Sequence, residues 1–186
     1  MKMNENEGFS LIELVVVITI MIVLTTMATI SISAMSNREA KEALQMLQGQ
    51  LNSTQSYAMS KTIAYGEIEL REDGYYYVLT YGKGGHKKSS EAKLCSKDCR
   101  MLYKTALEDV SIPIDGEHPC ILSFSKSSGA FLPMIDGVEG DAFNYKFKTG
   151  ENGTKSDVYC EEILIKRGDY SGKVKLYPKT GKFVVE

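Results

Sequence analysis

The feature that most constrains this chain lies near its beginning. After Glu13 no charged residue occurs until Arg38, and the 24 residues between them read LVVVITIMIVLTTMATISISAMSN. A helix rises ~1.5 Å per residue and a bilayer's hydrocarbon core is ~30 Å thick, so roughly 20 apolar residues suffice to span it. The run is long enough to do so with some tilt. Two other structures compete for such a stretch: a buried core helix and a cleaved secretory signal peptide. Signal peptides have an apolar region of roughly 7–15 residues between a basic start and a small-residue cleavage site. Here the run is longer, and Ala34-Met35-Ser36 only faintly echoes such a site. The expectation is a retained membrane helix. Its orientation is not readable from flanking charge, because Lys2 lies on one side and Arg38 and Lys41 on the other.

No other segment is apolar enough to cross a bilayer, so a polytopic membrane protein is excluded. Of the 186 residues, 22 are Lys or Arg and 24 are Asp or Glu, for a net charge of −2. That balance excludes a globally basic nucleic-acid binder. An apolar fraction of 43% with 25% charged residues is that of a folded protein rather than a disordered one.

Glu13 stands out within the apolar beginning, with Phe9, Leu11, Ile12 and Leu14 around it and no basic residue between Lys2 and Arg38. An ionised carboxylate in such surroundings costs on the order of a few kcal/mol unless something neutralises it. The string Gly8-Phe9-Ser10-Leu11-Ile12-Glu13-Leu14 ahead of a long apolar helix resembles the amino terminus of type IV prepilins and pseudopilins. The resemblance covers residues 8–35 or so. It implies a membrane peptidase that cuts between Gly8 and Phe9 and N-methylates the new terminal Phe9. It also implies assembly through the helix, in which the amine freed by cleavage on one subunit approaches Glu13 of its neighbour. A charge pair at ~4 Å in an effective dielectric of ~20 is worth about 4 kcal/mol before desolvation. Two features depart from the family pattern. The leader MKMNENE is net acidic, and the span has neither Pro nor Gly, so the Thr25-Thr26 pair and the Thr29–Ser33 run are the places where the helix would loosen.

Beyond the apolar run, Ala40, Ala43, Leu44, Leu47, Leu51 and Ala58 recur at helical steps, with Arg38, Glu39, Lys41, Glu42, Gln48 and Asn52 largely elsewhere. One helix continuing to about residue 61 is expected, docking one stripe on a sheet. From Ile63 the period changes to two. Ile63–Tyr65 and Glu67–Arg71 read as strands, Asp73-Gly74 as a turn and Tyr75–Tyr81 as the returning strand. Further strands are expected at 120–126, 130–134, 142–148, 158–166, 173–177 and 182–186, the last at a sheet edge. The predicted fold class is α+β and, by the resemblance, pilin-like. The predicted parts are a leader (1–8), a membrane and assembly helix (9–35), an amphipathic continuation (36–62) and an antiparallel β head (63–186) with a basic insertion at 82–104. The helix with small residues, the early hairpin with its tyrosine-rich second strand and the closing Gly-centred hairpin are similar to H-type minor pseudopilins and FimT-like minor pilins.

The four cysteines, Cys95, Cys99, Cys120 and Cys160, all follow the apolar run. Four allow three pairings, of which 95–99 with 120–160 is one; free thiols and a four-Cys zinc site are the alternatives, although close C-x₂-C pairs are absent. The segment Lys83–Lys104 holds seven Lys/Arg against two Asp/Glu. A solvated loop is the simpler reading. The alternative reading makes Lys83, His86, Lys87, Lys88, Lys93, Lys97, Arg100 and Lys104 an anion-binding set for DNA or another polyanion. No catalytic constellation, cofactor motif or metal site is recognisable. The expectation is therefore a non-enzymatic minor pilin or pseudopilin of a type IV pilus, type II secretion or competence filament. Its expected partners are the prepilin peptidase, other pilin subunits and the membrane, with the amino terminus cytoplasmic and the head outside.

Overall fold

A computed structural model describes residues 11–60, 63–83, 86–106, 110–134 and 158–186. The chain divides into two units, Met1–Ser36 and Asn37–Glu186. Helix α1 (Leu11–Met59) contributes to both. In the first unit, every residue from Leu11 to Thr26 is exposed. Thr19, Thr25 and Thr26 turn their hydroxyls back onto the carbonyls of Val15, Met21 and Val23 at 2.7, 2.6 and 2.8 Å. Each threonine thus satisfies itself on its own helix and leaves the outer surface apolar all round.

In the second unit, α1 becomes one-sided. Ala40, Ala43, Leu44, Leu47, Leu51 and Ala58 are all buried, as their spacing predicts. Thr54 joins the same stripe, fully buried. The stripe packs on two antiparallel sheets. The first has the order β3-β2-β1-β6, built from β1 (Ile63–Arg71), β2 (Gly74–Lys83), β3 (His86–Cys95) and β6 (Cys120–Ser123). The second has the order β5-β4-β7-β8-β9, from β4 (Arg100–Thr105), β5 (Ile112–Pro113), β7 (Cys160–Arg167), β8 (Tyr170–Tyr177) and β9 (Lys182–Val185). One continuous core joins the helix stripe to Ile68, Tyr77 and Leu122 of the first sheet and to Met101, Ile163 and Val174 of the second.

The hairpin at Asp73-Gly74 forms one residue earlier than expected. Arg71 pairs with Gly74, so Glu72-Asp73 is the two-residue turn and Gly74, at φ +148°, opens β2. The two short strands expected before it are one strand, continuous through Gly66. A Cβ on Gly66 would overlap the Tyr77 phenol, so glycine here makes room for the largest fully buried side chain among the described residues. β9 lies at a sheet edge, as expected. The strand expected at 130–134 is a single bridge, Phe131 to Phe124. The one expected at 142–148 lies outside the described residues.

The basic insertion is a correction. Residues 83–104 are not an extended loop: most of them form β3 and β4. β3 is an edge strand whose first six residues are exposed, so it carries no apolar alternation to betray it. Charged side chains on such an edge discourage pairing with other chains.

Candidate processing and assembly segment

Gly8 and Phe9, the expected cleavage pair, lie outside the described residues. Glu13 lies near the start of the described part of α1. It borders a shallow depression with Ile12, Val16 and Val17. The large apolar side chains around it, Leu11, Ile12, Leu14–Ile18 and Ile20–Leu24, are all exposed, Leu11 at 82% and Leu24 still at 62%. An apolar surface on all sides of a helix calls for lipid or other helices around it. Among the described residues no helix is long and apolar enough to cross a membrane. The stretch whose side chains are described here, residues 11–26, is shorter than the roughly 20 residues that a span needs. In sequence the uncharged run goes on to Asn37.

A family model described as the prokaryotic N-terminal methylation motif matches residues 3–29. The chain carries a prokaryotic N-terminal methylation motif. That match is consistent with type IV prepilins and pseudopilins, and it takes in Gly8, Phe9, Glu13 and most of the apolar run. The methylation motif implies processing by a prepilin peptidase and assembly with other pilin subunits, and it points to a structural subunit rather than an enzyme. No curated protein and no solved structure matches the chain.

The head places the other residues singled out from the sequence. The basic set is divided between the two sheets. His86, Lys87, Lys88 and Lys93 are on β3 of the first; Arg100 and Lys104 are on β4 of the second; Lys97 lies in the turn between them. The side chain of Lys83 lies outside the described residues. Lys93 is already engaged, its Nζ 2.6 Å from Asp73 Oδ2, which also accepts the Tyr76 hydroxyl at 2.8 Å. The lysine and the tyrosine hold the Asp73 carboxyl below its ordinary range. Arg71 pairs with Glu91 at 2.8 Å and lies over the Tyr76 ring at 4.6 Å. Of the segment's positive charges, that of Lys93 is met by the Asp73 carboxylate, and the described members of the basic set are divided between two sheets.

All four cysteines are buried free thiols. They fall into two contacting pairs, Cys95 with Cys99 and Cys120 with Cys160. Burial pushes the Cys95 and Cys99 thiols up, and the contact with Cys160 does the same for Cys120. Among the described residues no group of three or more His, Cys, Asp and Glu side chains is placed to hold a metal. His118 lies 3.0 Å from Asp115, on the exposed turn before β6.

Two side chains with a positioning role escape a periodicity reading. Glu39 lies off the apolar stripe of α1, yet it accepts the Ser96 amide at 2.7 Å and pairs with Arg167 of β7. Gln55 donates from one amide nitrogen to the carbonyls of Gly129 and Gly181, at 2.8 and 3.1 Å. Both anchor the helix to turns of the head. Polar residues beside an apolar stripe would have been the signal, but a sequence gives no way to tell which of many will be used.

Proposed function

We propose that this chain is a minor pilin or pseudopilin with a pilin-like fold, a structural subunit of a type IV pilus, type II secretion or competence filament. It is cut between Gly8 and Phe9, N-methylated on Phe9 and held in the membrane by its apolar helix. It then polymerises through that helix with its head outside the cytoplasm. The observation that carries this reading is the methylation motif at residues 3–29 on a helix whose apolar side chains are exposed on every side. Moving such a helix from bilayer to filament exchanges lipid contacts for helix–helix contacts, so assembly rests on packing complementarity. Glu13 then gives the array its register, because the cationic amine of a cleaved neighbour is drawn to the carboxylate. The helix leading onto an antiparallel head, with its tyrosine-rich second strand and closing hairpin, supports the H-type or FimT-like subclass.

Mass spectrometry of the amino-terminal peptide, from protein extracted from membranes, tests the reading. The expected peptide begins at a monomethylated Phe9, and Gly8→Leu yields the uncut chain. Recovery of wild-type protein with residues 1–8 attached, or cut after Ala34, would refute it.

A further inference from the structure

Each of the two cysteine pairs has one member on the first sheet and one at or beside a strand of the second. The chain passes from the first sheet to the second twice, between β3 and β4 and between β6 and β7. Cys95 is the last residue of β3, and Cys99 immediately precedes β4. Cys120 opens β6, and Cys160 opens β7. Each pair therefore has one member on each side of a passage between the sheets, and none of the four is left over.

A second, independent feature marks the same places. The β2–β3 ladder shifts register beside Cys95: Tyr75 pairs with Cys95, but Tyr76 with Lys93. The β4–β7 ladder shifts beside Cys160: Thr105 pairs with Cys160, but Lys104 with Glu162. A bulge breaks the strict in–out alternation of a strand and re-aims the neighbouring side chain. Its effect at β3 is plain, because Leu94 and Cys95 are consecutive and both buried. The turn between Cys95 and Cys99 is fixed as well. The Cys99 amide donates to the Ser96 carbonyl at 3.2 Å, and the Ser96 amide is held by Glu39.

We propose that the mature head carries two disulfides, Cys95–Cys99 and Cys120–Cys160, each of which ties the first sheet to the second. This rests on the proposed location of the head outside the cytoplasm, where disulfides persist. Each bridge forms by thiol–disulfide exchange with a protein oxidant that carries a disulfide. The two cysteines become a disulfide, the two electrons and two protons pass to the oxidant, and the oxidant leaves as a dithiol. A thiolate is the attacking species, and burial suppresses it. Exchange therefore takes place before the sheets close over the thiols, and the folded head then shields the bridges from reductants.

The test uses the full chain extracted from membranes, with thiols trapped by acid quenching and N-ethylmaleimide in denaturant, and digested without reduction. Cleavage after Lys97 separates Cys95 from Cys99, so a bridge appears as Leu94–Lys97 joined to Asp98–Arg100. The expected result is these joined peptides, a second joined pair carrying Cys120 and Cys160, and no alkylated cysteine. Four alkylated cysteines, a cross-pairing such as Cys95 with Cys120, or one bridge beside one alkylated pair would each overturn the proposal. Cys120→Ala supplies an independent arm, exposing one alkylatable thiol, at Cys160, and leaving the Cys95–Cys99 peptides joined. The same digest reports whether Phe9 is the methylated terminus, so failure of bridging and failure of the pilin reading are separately visible.

Discussion

Thr54 and Tyr77 form a polar contact inside the apolar core, and the cost of breaking it depends on which partner is removed. The Tyr77 hydroxyl is 2.7 Å from Thr54 Oγ1, and Thr54 also donates to the Gln50 carbonyl at 2.8 Å. Both side chains are fully buried. With the Thr54 proton committed to Gln50, the Tyr77 hydroxyl is the donor between the two. Tyr77→Phe removes that donor and leaves Thr54 with one unmet lone pair, a loss of about 1 kcal/mol. Thr54→Val instead strands the Tyr77 O–H in the core with no acceptor, which costs about 2 kcal/mol, while the Gln50 carbonyl keeps its helical amide. The double variant strands nothing, so it costs about 1 kcal/mol, less than Thr54→Val alone. Urea unfolding of the full chain in a non-denaturing detergent, followed by circular dichroism, measures all four proteins. With a slope of about 2 kcal/mol/M, 1 kcal/mol moves the midpoint by about 0.5 M. A double variant whose loss equals the sum of the single losses would refute the hydrogen-bond assignment.

Gly66→Ala puts a methyl group onto the Tyr77 phenol. It should lower stability by about 1–3 kcal/mol in the same urea assay, and Tyr77→Leu in that background should restore part of the loss, whereas an unshifted midpoint would show that the sheet yields freely. Burial pushes the Tyr77 phenol well above its ordinary value. The folded state therefore favours the protonated form: this contribution is complete below the unfolded-state value of about 10 and is lost as pH rises through and beyond it. The urea midpoint should fall from about pH 9 to about pH 11, and more shallowly in Tyr77→Phe; equal slopes would count against the assignment.

What the sequence made legible follows from how many physical constraints each segment obeys at once. The docking half of α1 must bury one stripe in a core, so its apolar residues keep helical spacing, and all six positions read from that spacing are buried. The closing hairpin is half-buried and alternates for the same reason. β3 obeys no such rule. As an edge strand with six leading exposed residues it is free to be polar, and its Lys, Ser and Glu composition reads as loop. β4 carries an alternation, with Met101, Tyr103 and Thr105 buried, but Leu102 between them and the basic Arg100 and Lys104 obscure it in sequence. Which cysteines lie together was legible only as one of three options, because the register shifts beside Cys95 and Cys160 leave little trace in composition.

The amino-terminal segment is the reverse case. Its motif is the most specific signal in the chain, yet the fold of the head does not account for it: residues 11–26 are exposed on every side, whereas the stripe that docks on the sheets begins at Ala40. A helix that is apolar all round, with its threonine hydroxyls satisfied on its own carbonyls, gains nothing from exposure to water. Burying even half of the dozen large apolar side chains from Leu11 to Leu24 would stabilise an assembled state by about 10 kcal/mol, taking about 1.5–3 kcal/mol for each side chain. That is as large as the whole stability of a typical folded domain. Lipid or other helices around such a segment would cover it, which is what the proposed function asks of it.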